Sequence, residues 1–248
     1  MMKTKKPILF RIFYRVIKMF FPRFQVEKKT DLNAPGHIYV SNHAQAYGPL
    51  AMYFYFPQKR YIWTIGEMCN RKEVTSYAME DFWRHKSKWT KWIYKLFSFI
   101  ILAPLGSYLL KTADTIPVYK DSRLRQTMSK SIDKLNEGND IIIFPEYRDL
   151  YNKYINEFQI NFVDVGRFYT RRTNIDLSFY PVYTCVDLRK ILIGEPTKFN
   201  SHANIDEERM RIVRYLQDEI TKLGESLPNH TIVPYINNKR KYRQKSKE

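Results

Sequence analysis

The sequence predicts an α/β fold with a mixed central sheet flanked by helices, preceded by an amphipathic helix near the N-terminus. Short apolar runs of strand length alternate along the chain with segments of helical periodicity. The four consecutive apolar residues 141–144 have the pattern of a strand that is buried on both faces of a sheet. Hydrophobic residues make up 44% of the 248 residues, which is enough for the core of one main domain.

The first element is an amphipathic helix over residues 8–21 that ends at a proline. Arg11, Arg15 and Lys18 recur on one helical face, and apolar residues fill the opposite face. A basic face opposite an apolar face that contains phenylalanine is typical of a helix lying in a membrane interface. The alternative is a helix that packs on its own domain with a solvated basic face. We assign residues 1–30 to this N-terminal element.

The alternation that follows assigns residues 31–236 to a single α/β domain. Strands are predicted at residues 37–41, 61–65, 115–119, 141–144, 177–183 and 190–194. Helices are predicted from a cap at Asp121 or Ser122 up to Gly138, and over residues 156–172 and 206–223. The basic tail, residues 237–248, is too polar to form a core and is expected to be disordered.

A long apolar run occupies residues 96–110. Its 15 residues fall short of the ~20 that a membrane-spanning helix needs, and Pro104 and Gly106 interrupt it. We therefore expect a helical hairpin that is either buried or resting on a membrane. The same argument favours a peripheral protein over a membrane-spanning one.

The charge balance favours anionic partners. Lys and Arg number 42 and Asp and Glu 25, which gives a net charge of +17, and aromatic residues make up 16% of the chain. This combination suits anionic lipid, phosphate-bearing substrates or nucleic acid. The two cysteines exclude a disulfide scaffold, no two histidines have metal-ligand spacing, and we predict no metal. The start of the chain has no secretory pattern, so a reducing, cytoplasmic compartment is expected.

Two polar loops directly follow predicted strands. His43 lies in the loop after strand 37–41, and Glu146 follows strand 141–144. Open α/β sheets bind their ligands at the ends of such strands. Each loop alone is also compatible with an ordinary surface turn, but the two together form a recognisable pair.

That pair resembles the glycerolipid acyltransferases, the family of the lysophosphatidate acyltransferases. The family carries an Asn-His-x-x-x-x-Asp motif and a Phe-Pro-Glu-Gly-Thr-Arg motif on a mixed sheet, and residues 42–48 and 144–149 are similar to these. The segments 103–106, 116–120 and 179–182 resemble further family elements. The resemblance covers about residues 35–195 and depends on the order and spacing of four short elements.

The resemblance implies an enzyme that transfers a fatty acyl group from a thioester to a hydroxyl. The donor would be acyl-CoA or an acyl-carrier protein, the acceptor a lysophospholipid or a glycerol phosphate, and no other cofactor is implied. His43 would be the general base, because imidazole titrates in the range this reaction needs. Glu146, Asn42 and Lys120, which falls where the family has arginine, would hold the acceptor.

The second motif departs from the family after its glutamate. Residues 147–149 read Tyr-Arg-Asp where the family has Gly-Thr-Arg. The missing cation is then supplied by Arg148, one place early, or by Arg123 from the neighbouring segment. Together with Lys120, either arginine would bind the acceptor phosphate.

The first motif departs from the family at Gly48, where an aspartate would orient the imidazole. A backbone carbonyl, an ordered water or another carboxylate such as Glu67 must then orient His43. A Gly48→Asp substitution is expected to raise activity if the loop geometry matches the family. It would do nothing useful if Gly48 holds a positive φ.

The glycine also supports an alternative, namely a catalytically inactive relative that binds lipid or an acyl carrier. A third alternative is a nucleic-acid-binding protein, suggested by the charge of +17 and the tail. No nucleic-acid-binding module is recognisable, and the basic residues flank apolar aromatic stretches. We therefore expect an anionic membrane surface as partner, no nucleic acid, and a peripheral location on the cytoplasmic face of a membrane.

Overall fold

The computed structural model describes residues 6–29, 36–84 and 86–235. Its strands are β1 (Gln25–Lys28), β2 (Ile38–Ser41), β3 (Arg60–Ile65), β4 (Thr115–Val118), β5 (Asp140–Ile143), β6 (Glu146–Leu150), β7 (Asn156–Phe158), β8 (Ser178–Cys185), β9 (Lys190–Ile193) and β10 (Thr197–Lys198). Its α-helices are α1 (Ile8–Phe20), α2 (Tyr47–Tyr55), α3 (Gly66–Cys69), α4 (Arg71–Glu80), α5 (Lys88–Phe97), α6 (Ala103–Thr112), α7 (Leu124–Asn136), α8 (Asp164–Thr173) and α9 (Ile205–Glu225). The predicted tail, residues 237–248, lies outside the described residues.

The predicted fold class is confirmed. The chain is α/β, with parallel and antiparallel strands and with the N-terminal helix α1 in place. By their internal contacts the described residues form two compact units, one within the ranges 1–21 and 61–131, the other within the ranges 22–60 and 132–248. The domain boundaries drawn from the sequence, at residues 30/31 and 236/237, stay predictions.

The second unit contains the strands that carry the candidate site. Its strand order is β1-β9-β8-β2-β5, and β10 pairs with β8. Strand β2 is parallel to both β5 and β8, with Val40 opposite Ile143 and Pro181. Every residue of β2, β5 and β8 is buried, and for β5 this confirms the prediction from the apolar run 141–144. Because β2 and β5 are parallel, the loops that follow them leave the sheet at the same edge.

After helix α9, which packs against β8, the chain continues to Tyr235 without regular secondary structure. The backbone N–H of Thr231 donates to Oδ2 of Asp187 at 2.7 Å. The hydroxyl of Tyr183 and Nε2 of His230 are hydrogen-bonded at 2.9 Å. These two contacts fix residues 230–231 against the sheet and determine the path of the chain to Tyr235.

The first unit pairs β3 with β4 in parallel and packs α3, α4 and α6 together. The predicted hairpin over 96–110 is wrong. Residues Lys88–Thr112 form one continuous helix of 25 residues, in which a π-helical turn at Ser98–Leu102 joins α5 to α6. A proline in a regular helix clashes with the carbonyl four residues earlier. The wider turn, closed by the N–H of Ala103 on the carbonyl of Ser98, accommodates Pro104 without ending the helix.

The predicted helix over 156–172 is correct only in its second half. Residues Asn156–Phe158 form β7, which pairs with β6 in an antiparallel ribbon. A 3₁₀ turn follows, and the helix α8 begins at Asp164. Pairing with a strand distant from it in sequence overrides the local helical periodicity at this point.

Candidate active site

The loop between β2 and α2 is a tight turn that presents His43. Ala44 and Gln45 both have positive φ, 43° and 57°. The N–H of Tyr47 donates to the carbonyl of Ala44, and that of Gly48 donates to the carbonyl of His43, both at 3.1 Å. The turn therefore reverses the chain within a few residues and leaves the imidazole at the end of a buried strand.

The orientation of the His43 ring is fixed from within this turn. Nδ1 is hydrogen-bonded to the backbone carbonyl of Gln45. A carbonyl oxygen can only accept, so Nδ1 carries the proton and Nε2 keeps the lone pair. The sequence leaves a backbone carbonyl, an ordered water or another carboxylate as the group that orients His43. In the structure a backbone carbonyl, that of Gln45, contacts Nδ1.

Aromatic side chains surround the imidazole. The ring of His43 meets that of Phe144 edge-on at 5.4 Å between centroids and that of Tyr235 at 4.9 Å. Burial lowers the pKa of His43 below its usual 6.5, and the hydrogen bond to Gln45 opposes this shift only in part. His43 is therefore neutral at pH 7, which is the state a general base requires.

Glu146 lies against His43, and its carboxylate contacts main-chain atoms. Oε2 accepts the backbone N–H of His43, and Oε1 accepts the backbone N–H of Asn156 at 2.9 Å. The side chain is 4% exposed. Burial raises the pKa of Glu146 to about 7, and the two N–H donors limit that rise. Glu146 thus joins the His43 loop to β7, and its role as an acceptor ligand stays a prediction.

Asn42 joins β2 to β8 through both polar atoms of its side-chain amide. Its Nδ2 donates to the carbonyl of Thr184 at 3.1 Å, and its Oδ1 accepts the N–H of Thr184 at 2.7 Å. The hydroxyls of Ser41 and Thr184 are 3.2 Å apart. This paired bond extends the strand ladder by one residue and holds the chain immediately ahead of His43.

Position 48 requires glycine because there is no room for a side chain, and not because of its backbone conformation. Gly48 does not have a positive φ, which was one of the two alternatives, because the left-handed residues of this loop are Ala44 and Gln45. A Cβ at Gly48 would lie 2.5 Å from the carbonyl oxygen of His43 and 2.8 Å from that of Asn42. An aspartate at this position would therefore displace the base that it is meant to assist.

A cavity of about 200 Å³ opens beside these residues within the second unit. Its polar lining includes Glu146, Asn156 and Lys153, and its apolar lining includes Tyr154 and Tyr235. Two of these residues, Glu146 and Tyr235, also contact His43. His43 itself is not among the residues that line the cavity.

The three predicted cations differ in their surroundings. Arg123 forms ion pairs with Glu73 at 3.0 Å and Asp121 at 2.8 Å, and its guanidinium lies 3.8 Å from the Tyr119 ring centroid. Lys120 is exposed, in the same unit. Arg148 is exposed on β6, in the second unit. Two carboxylates therefore neutralise Arg123, and the side chains of Lys120 and Arg148 are exposed.

Sequence reasoning missed Gln45, Asn156, Thr184 and Tyr235. Gln45 and Thr184 act through backbone atoms, which no side-chain motif reveals. Asn156 falls within a segment predicted as helix, and Tyr235 lies far along the chain from His43. The one available signal was the small-residue loop around Gly48, which is typical of a tight turn.

Comparisons with known proteins add little to this geometry. Searches against family models and against curated proteins find no match. Among solved structures, the chain is similar to the crystal structure of the 1-acyl-sn-glycerophosphate (LPA) acyltransferase PlsC from Thermotoga maritima. The identity is 13%, the TM-score is 0.49, and the match covers 89% of this chain and 80% of that chain. The functional argument therefore depends on the site itself.

The buried Glu146 predicts how the free energy of unfolding depends on pH. Its folded pKa of about 7 exceeds the usual 4.5, so its stabilising contribution is complete below 4.5 and is lost as pH rises through 7. We expect Glu146→Gln to reduce the stability difference between pH 5 and pH 8 by on the order of 2 kcal/mol, measured by urea unfolding. His43 acts in the opposite direction below 6.5, and Asp140, with its pKa raised to about 6, acts in the same direction.

His43 and Asp140 are unchanged in Glu146→Gln, so their contributions to the pH dependence of stability cancel when the variant is compared with wild type. The matched control is Glu225→Gln, at the exposed end of α9. It should keep the pH dependence of the wild type. An identical pH slope in Glu146→Gln and wild type would contradict the raised pKa of Glu146.

Proposed function

We propose that the protein is an O-acyltransferase that moves a fatty acyl group from an acyl thioester to the hydroxyl of a lysophospholipid or glycerol-phosphate acceptor. The observation that carries this proposal is the His43 imidazole, neutral, with its proton on Nδ1 and its Nε2 available as a base. An alcohol is a weak nucleophile near neutral pH and needs such a base. The resemblance of the two loops to the glycerolipid acyltransferases supplies the reaction class.

The proposed reaction runs in two steps. Nε2 of His43 takes the hydroxyl proton as the oxygen attacks the thioester carbonyl, forming a tetrahedral intermediate. The C–S bond then breaks, and the imidazolium returns the proton to the leaving thiolate. The Gln45 carbonyl fixes the ring but carries no full charge, so it stabilises imidazolium less than a carboxylate would. A modest turnover follows from this difference.

The acceptor phosphate needs a cation, and we propose two separate candidates for it, Arg148 on β6 and Lys120. Both follow from the family resemblance, and both side chains are exposed. We expect loss of the cation that binds the phosphate, by Arg148→Ala or by Lys120→Ala, to raise the acceptor KM about 5–30-fold with little change in kcat, since a lost charge-assisted bond costs about 1–2 kcal/mol. Lys198→Ala, an exposed lysine on β10, serves as the control. An unaltered KM in both variants would rule out both candidates.

The proposed location is the cytoplasmic face of a membrane, with helix α1 as one attachment. Exposed apolar side chains on α1 include Ile8, Ile12, Met19 and Phe20. The buried Phe10 and the ion pair between Lys6 and Asp114 hold α1 on its own unit. The apolar side chains that remain exposed are those an interfacial helix would insert into lipid.

The second candidate function is an inactive relative that binds lipid without catalysis. The observation that favours it is the carbonyl at Nδ1, in place of the expected carboxylate. An acyl-transfer assay decides between the two. Purified protein is offered acyl-CoA and acyl-carrier-protein donors against a panel of lysophospholipids and glycerol phosphate. Transfer above background that depends on His43 supports the enzyme, and its absence across the panel supports the binding protein.

A further inference from the structure

An exposed apolar surface of the first unit lies on α5 and the π-helical turn. Trp89 is 88% exposed, Trp92 65% and Phe99 66%. We call this surface the α5 face, defined by the exposed side chains of Trp89, Trp92, Ile93, Leu96, Phe99 and Ile100. Isolated exposed apolar residues are common on proteins, but a contiguous set with two tryptophans marks an interaction site.

The helix is held so that this face points outward. On its inner side, Trp83 stacks on Tyr94 at 4.7 Å between ring centroids, and its Nε1 donates to the hydroxyl of Ser98 at 2.9 Å. Tyr94 is half-buried and Ser98 is buried. Helix α5 is therefore packed on its unit through its inner side, and its outer side stays exposed.

A stripe of positive charge runs beside the α5 face. Lys88, Lys91 and Lys95 follow one another at i, i+3 and i+7, next to the stripe formed by Trp89, Trp92 and the aliphatic residues. Interfaces between proteins are depleted in lysine, and a second copy of this chain would bring the lysine stripes together. Tryptophan beside lysine is instead the composition of a helix at a bilayer surface that carries anionic lipid.

We propose that the α5 face is a membrane-docking surface that inserts its tryptophans into the interface of an anionic bilayer. By length and composition, helix Lys88–Thr112 could cross a membrane. Its second half, however, packs on α3 and α4 through a buried cluster that includes Met68, Val74 and Ala103. Crossing would expose that cluster, so the helix lies in the plane of the interface. This proposal does not depend on the proposed acyl transfer.

The experiment measures binding of the full chain to vesicles of phosphatidylcholine with about one-third phosphatidylglycerol. We expect Trp89→Ser with Trp92→Ser to weaken binding by about tenfold or more, because two large apolar side chains no longer enter the interface. The matched control, Phe168→Ser with Ile175→Ser, removes exposed apolar groups from the second unit and should bind as wild type. Neutral vesicles should bind the wild type less tightly than anionic ones.

A second readout locates the tryptophans within the bilayer. The fluorescence of Trp89 and Trp92 is the difference between wild type and the double variant Trp89→Phe with Trp92→Phe. We expect lipids brominated near the headgroup to quench this fluorescence most. Strongest quenching by bromines at the bilayer centre would mean a spanning helix and would overturn the proposal. The absence of quenching would also overturn the proposal, including the case in which the serine substitutions leave the affinity for vesicles unchanged. Equal weakening by the control pair would also overturn it, since the effect would then not belong to this face.

Discussion

His43→Ala is expected to lower kcat for acyl transfer by about 10²–10⁴-fold, the contribution of a general base to such reactions. The alanine variant keeps the turn, because the His43 N–H still donates to the Glu146 carboxylate and the Gly48 N–H still donates to the carbonyl of residue 43. The acceptor KM should change little, since Nε2 acts on the hydroxyl proton rather than on the head group. The measurement is a steady-state assay with each acyl donor, accompanied by thermal unfolding of both proteins.

The matched control is His202→Ala, at an exposed turn before α9. It should leave both kcat and the unfolding temperature unchanged. Equal rates in wild type and His43→Ala, with donor and acceptor saturating, would refute the proposed base. The wild-type acid limb of kcat/KM should also lie below pH 6.5, because burial lowers the pKa of His43.

Gly48→Ala is expected to be severely damaging, and Gly48→Asp at least as damaging. The added Cβ would lie 2.5 Å from the carbonyl oxygen of His43, and the atom it meets belongs to the backbone. Relief of such a contact costs roughly 3 kcal/mol, equivalent to a fall in unfolding temperature of about 6–12 °C. Displacing the His43 carbonyl by a fraction of an ångström also moves the ring, so activity should fall by about 10²-fold.

Gly106→Ala provides the matched control, since it adds the same methyl group to a helical glycine. Its Cβ would meet nothing nearer than Leu102 at 3.8 Å. Replacing a helical glycine by alanine should then stabilise the protein by up to about 1 kcal/mol. A gain of activity in Gly48→Asp would show that the loop relaxes to the geometry of the family motif and that the close approach is not a constraint.

The sheet edge that carries the site could be predicted from the sequence, whereas the fine structure of the site could not. The apolar run 141–144 and the strand before His43 are local signals, and parallel pairing then brings His43 and Glu146 together. The partner of Nδ1 is a backbone carbonyl of Gln45, and its position follows from two left-handed residues that no side-chain pattern indicates. Tyr235 reaches the imidazole only through the path of the chain after α9.

The same limit explains the error at residues 96–110. Proline and glycine usually break helices, and the sequence offered no sign that a π-helical turn would accommodate Pro104. The surface of α5 was also hidden from sequence reasoning, because exposure of Trp89 and Trp92 depends on which side Trp83 anchors. Local propensity therefore predicted where helices and strands occur. Contacts between residues distant in sequence determined whether a helix continues and which of its side chains are exposed.

The surroundings of His43 have a consequence for the order of folding. The bond from Nδ1 to Gln45 spans two residues, and such a turn closes far faster than the whole chain folds. The rings of Phe144 and Tyr235 arrive from segments about 100 and 190 residues away, so they come with the long-range contacts that form late. The histidine thus acquires its tautomer early and its lowered pKa last. Until those rings arrive, the Gln45 bond acts without the opposing effect of burial and holds the pKa of His43 above its folded value, so an NMR titration of the ring would report completion of the tertiary structure.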